Sequence, residues 1–96
     1  MDKVFEWDES KARSNHQKHG ISFETATFVF DDPFAILELE RIEDGEYRWQ
    51  TLGMAGGAPL LLVVHTILDE DVEIVRIISA RRADRSERRR YEQQAS

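Results

Sequence analysis

The second half of the chain constrains the fold most. Four strand-length stretches rich in apolar residues follow one another at 34–40, 46–53, 59–66 and 72–81. They are separated only by the turn-forming links Glu43-Asp44-Gly45, Gly56-Gly57 and Asp69-Glu70-Asp71. Links this short join neighbouring antiparallel strands, so the pattern predicts an antiparallel meander.

Before the meander, residues 3–7 alternate like a short strand, with Val4 on one side and Phe5 and Trp7 on the other. Asp8 then reads as the N-cap of a helix over 9–18 that Gly20 ends. Its least polar stripe runs through Ala12, Asn15 or His16, and His19, so whichever face turns inward must bury polar groups that need partners. Ser22 caps a second helix with Phe23, Ala26, Thr27 and Phe30 at core spacing, stopped by Asp31-Asp32-Pro33. After the meander, Asp84 and Glu87 stand at the N-cap and N3 positions of a helix over 85–94 whose one large apolar anchor is Tyr91. The order is strand, two helices, four strands, helix. This predicts an α+β domain spanning 1–96, with its helices on one face of a twisted antiparallel sheet.

Charge is unevenly distributed. Residues 1–75 hold 16 acids and 6 bases, a net of -10, whereas residues 76–96 hold 3 acids and 7 arginines, a net of +4. The formal total of -6 thus conceals an acidic body with a basic end. With no cysteine, disulfides, thiolate catalysis and cysteine-held zinc are excluded. No apolar run approaches the roughly 20 residues of a membrane helix, and the Met1 end lacks the apolar core of a signal peptide, so the expectation is a cytoplasmic protein.

Arg76 lies among aliphatic residues in the last strand, an unusual place for arginine without a salt partner or an anionic ligand. It reads either as half of an ion pair, for instance with Glu46, or as a phosphate clamp. Simple strand alternation puts Arg76 and Arg81 on opposite faces unless a bulge intervenes. Arg81, Arg82, Arg85, Arg88, Arg89 and Arg90 continue the positive charge around the start of the last helix, a patch suited to nucleic acid or to an acidic partner protein. His16 and His19 could touch one metal ion, but no third ligand adjoins them, so no metal site and no cofactor is assigned. A histidine near arginines instead suits RNA cleavage without a metal, in which the 2′-hydroxyl attacks the neighbouring phosphate. Each histidine reads equally as a hydrogen-bonded structural residue.

Two motifs carry a family resemblance. The opening one is Trp7-Asp8, Lys11, Asn15, Lys18-His19-Gly20 and Ser22-Phe23-Glu24; the closing one is Arg76-Ile77-Ile78-Ser79-Ala80-Arg81 with Glu87-Arg88 and Tyr91. With Glu46-Tyr47-Arg48, Gly53 and Val63-Val64-His65-Thr66 between them, the chain resembles the BrnT family of type II toxins over nearly its whole length. That resemblance implies a RelE-like fold and a ribonuclease that arrests translation. It also implies a BrnA-like ribbon-helix-helix antitoxin, with operator DNA bound only through the toxin–antitoxin complex. On the site, it implies that Arg48, Arg76 and Arg81 hold phosphate, while His19, His65, Glu46 and Lys18 are proton-transfer candidates. Ser79, Arg82, Arg85, Arg88, Arg89 and Tyr91, with Lys18, are expected to contact RNA. The competing expectation is a non-catalytic module that binds nucleic acid or a partner protein.

Overall fold

The computed structural model describes residues 3–56, 59–69 and 71–95. Gly57 and Glu70 of the expected links lie outside the described residues. The elements are β1 (Lys3–Glu6), α1 (Glu9–His19), α2 (Phe23–Ala26) running into a 3₁₀ segment (Thr27–Asp31), β2 (Ile36–Glu43), β3 (Glu46–Met54), β4 (Leu60–Asp69), β5 (Glu73–Arg82) and α3 (Arg85–Ala95). Local chemistry sets the boundaries. The Asp8 carboxylate accepts from Lys11 N at 3.1 Å and the Ser22 hydroxyl from Thr25 N at 3.0 Å. At α3, Asp84 accepts from Glu87 N at 2.8 Å while Glu87 accepts from Asp84 N at 2.9 Å, a reciprocal capping box. The β2–β3 hairpin turns on Asp44 (φ 53°) and Gly45 (φ 79°), the left-handed pair that a two-residue turn requires.

Strand order is β1-β5-β4-β3-β2. β2 to β5 form the expected meander, but β1 pairs with β5 in parallel, Lys3 opposite Glu73 and Glu6 opposite Arg76. The sheet is therefore mixed rather than wholly antiparallel: α1 and α2 carry the chain to the far edge, where β2 runs opposite to β1, and the three reversals of the meander bring β5 back parallel to β1. The helices do not share one face either. Leu61, Val63, Val75, Ile77 and Ala80 pack with Phe23, Ala26 and Val29 on one side, and Leu52, Leu60 and Leu62 pack with Ala83 and Tyr91 on the other. Adjacent strand residues point to opposite faces, so both sides of β4 are apolar and α3 has its own face to cover.

The 3₁₀ tightening also changes which residues face inward after Ser22. Phe23, Ala26 and Val29 recur every three residues and are buried, so Val29 takes the core place that α-helical spacing gives to Phe30. Phe30 packs at its border. Gly53 permits this close approach, since a Cβ there would meet Val29 O at 3.1 Å and Val29 Cβ at 3.2 Å.

Candidate nucleic-acid interface

In the β4–β5 ladder Val64 pairs with Ser79 and His65 with Ile77, leaving Ile78 as an extra residue. This bulge reverses the alternation along β5. Val75, Ile77 and Ala80 all reach the α1–α2 core, while Arg76, Ser79 and Arg81 share the opposite face. The bulge thus makes a row of two arginines and a hydroxyl.

Both arginines of the row have carboxylate partners. Arg76 Nη1 lies 3.0 Å from Glu6 Oε2, its parallel neighbour on β1, rather than pairing with Glu46. Arg81 donates to both oxygens of Glu87 at 2.9 Å and to Arg82 O at 3.1 Å. The hydrogen bond from Arg81 holds the Glu87 carboxyl below its ordinary value, and the Glu87 bond raises Arg81 above its own. A guanidinium has five N–H groups, so Arg81 keeps two beyond these three bonds. Arg48 is less committed: its nearest carboxylate oxygens, on Glu43 and Glu46, are 3.8 and 3.9 Å away, and its buried Nε has no hydrogen-bond acceptor among the described residues.

Where β1 ends, α1 lies along the free edge of β5. Asn15, the buried polar residue of α1, accepts from Ala80 N at 3.1 Å and donates to Ala80 O at 2.9 Å and Ile21 O at 3.1 Å. It substitutes for a missing strand. Between helix and strand runs a groove of about 280 Å3 lined by Lys11, Lys18, His19 and Ser79 among others. The structure so brings Lys18, His19 and Ser79 together beside the arginine row. Lys11 and Arg76 both help to hold the Asp8 carboxyl low, behind the larger effect of the Lys11 N–H bond, which places both cations near the start of α1. Lys11 was visible in the opening motif but carried no assigned role, because nothing local shows that α1 borders β5.

The other candidates are dispersed. His65 is fully buried with its ring 4.9 Å from that of Phe30 at an angle of 76°, its Nε2 2.8 Å from the Thr51 hydroxyl, and burial pushes it down to about 4. Tyr91 gives its hydroxyl to Asp32 at 2.6 Å, and the same carboxylate oxygen accepts from Met54 N at 2.7 Å, so its ring and hydroxyl tie α3 to the end of β3. Arg82 falls by register on the face of Leu61, at the exposed end of β5. Arg85, Arg88 and Arg89 are exposed on α3 and have no carboxylate partner among the described residues, whereas Arg90 meets Glu38 at 2.9 Å. Glu46 lies at the start of β3, across a cleft from Arg76. Among the described residues no three histidine or carboxylate side chains cluster as a metal site.

Mixed sheet, ion-paired arginine row and arginine-rich terminal helix define a small α+β protein. Over residues 7–87 the chain matches the family described as the ribonuclease toxin, BrnT, of type II toxin–antitoxin systems, and it belongs to that family. The crystal structure of the Brucella abortus ribonuclease toxin BrnT has a similar fold, with a TM-score of 0.66 at 24% identity, covering 88% of this chain and 100% of that one. A search of curated proteins found no match. As a toxin of a type II system, the chain has an antitoxin as its partner.

Proposed function

We propose that this toxin is a metal-independent endoribonuclease with a RelE-like plan that arrests translation by cutting RNA. The observation that carries the reading is the Ile78 bulge, which sets Arg76, Ser79 and Arg81 on one face beside the groove holding Lys18 and His19. In the proposed reaction the 2′-hydroxyl of the RNA attacks the adjacent phosphorus and expels the 5′-oxygen, leaving a 2′,3′-cyclic phosphate. Arg76 and Arg81 hold the phosphoryl oxygens as charge grows on them, and Arg48, with its unsatisfied Nε, supplies a further cation. His19 and Lys18 are the proton-transfer groups that share the groove with Ser79, with Glu46 across the cleft from Arg76 as the alternative base. The free arginines of α3 draw in the RNA backbone. The acidic body is suited to a basic antitoxin of the BrnA ribbon-helix-helix type, through which the pair would reach operator DNA.

A second reading has its own observation: both row arginines are already ion-paired, as in a non-catalytic binding module. One substrate separates the two. An oligoribonucleotide with a single 2′-deoxy sugar at the preferred cleavage position should resist the protein while the all-ribose version is cut to a cyclic phosphate end. Equal cutting of both would refute 2′-hydroxyl attack, and cutting of neither, with binding intact, would favour the binding module.

A further inference from the structure

The β3–β4 ladder reaches Trp49 opposite His65 and goes no further, although β3 stays paired with β2 to Glu46 and β4 with β5 to Asp69. The sheet forks there. The fork holds a cleft of about 540 Å3, with Glu46, Tyr47 and Trp49 on β3 and Leu68 on β4 among its lining, and Glu6 and Arg76 from β1 and β5. Tyr47 is 53% exposed, its ring 6.4 Å from that of Trp49 and tilted by 31°. Neither ring belongs to the two buried clusters, so packing of the core does not account for them.

The charge in the cleft limits what fits. Two carboxylates against one arginine disfavour a phosphate deep in the fork, but leave it open to a flat, uncharged group whose phosphate stays with Arg76. We propose that this cleft is a nucleobase-stacking subsite for single-stranded RNA, in which an unpaired base lies against Trp49 and Tyr47 while its phosphate meets Arg76. Aromatic faces hold bases of any sequence, and an unstacked single strand presents them. The inference rests on the RNA reading above and adds the part of the substrate that the arginine row does not contact.

Binding of a 2′-O-methyl oligoribonucleotide, which has no free 2′-hydroxyl and is not cleaved, tests the subsite apart from the chemistry. The chain has two tryptophans, so Trp7→Phe leaves Trp49 as the sole indole emitter. Its fluorescence should quench saturably, with the same midpoint as the anisotropy of a labelled oligonucleotide, and Trp49→Leu should weaken binding roughly tenfold. If Trp7→Phe does not fold, the wild-type quench that disappears in Trp49→Leu carries the same information. Binding without a change in Trp49 emission, absence of binding, or a Trp49→Leu variant that binds RNA normally but loses its antitoxin would each overturn the proposal. Failure of the ribonuclease reading shows separately, as uncut all-ribose RNA.

Discussion

His65 and His19 carry the same imidazole and occupy opposite environments. His65 is fully buried with its Nε2 on Thr51, and desolvation moves it from 6.5 down to about 4; His19 is half-buried at the end of α1 in the groove beside Ser79. Between pH 6.5 and about 4 the unfolded chain takes up a proton that folded His65 refuses, so stability falls as pH drops through that window. Asp32 and Glu87 are lowered from 3.8 and 4.5, and their contributions are lost only below those values, which leaves the upper window to His65. Urea unfolding should therefore show a loss of about 2 kcal/mol between pH 7 and 5 that His65→Gln largely removes. An equal loss in the variant would mean that some other group causes it. No single-residue signal in the sequence separated the two histidines, because burial depends on which strand lies beside which and on what covers them.

At the scale of elements, the local rules were legible and the long-range ones were not. Asp8, Ser22 and the Asp84–Glu87 pair announced three helix starts, since a cap is satisfied within three residues. The polar inner stripe of α1 was legible as a demand for partners, and Asn15 answers it through Ala80, 65 residues away. Removing that side chain leaves the buried Ala80 N–H and two carbonyls without partners. Asn15→Ala is expected to lower unfolding free energy by about 2–4 kcal/mol, read from the urea midpoint. A loss below about 1 kcal/mol would show that water or the backbone replaces the bonds. The parallel partner of β1, the face of α3 and the bulge at Ile78 left no trace in the sequence. Ile77 and Ile78 are both apolar, so nothing in the pattern marks which of them is the extra residue.

For the whole molecule, the charge division survives folding in a changed form. The basic end does not stand alone: Glu6, Glu38 and Glu87 bind Arg76, Arg90 and Arg81, so much of the arginine run is neutralised and oriented by the acidic part and by α3 itself. What remains for a polyanion is the N–H groups that Arg76 and Arg81 keep beyond their carboxylates, the groove beside them with Lys11 and Lys18, and the exposed arginines of α3. Arg76 tests this arrangement most cleanly. Its pair with Glu6 is about half exposed, with 46% and 49% of the two side chains accessible, so its loss should cost stability at most about 1 kcal/mol. The direct measurement is RNA cleavage by purified toxin in EDTA, with Arg76→Ala beside the wild type and folding checked by circular dichroism. The wild type should cut, and Arg76→Ala should be slower by about 100- to 1000-fold while remaining folded. Equal rates for the two proteins, or a wild type that cuts only when a metal is restored, would contradict the account.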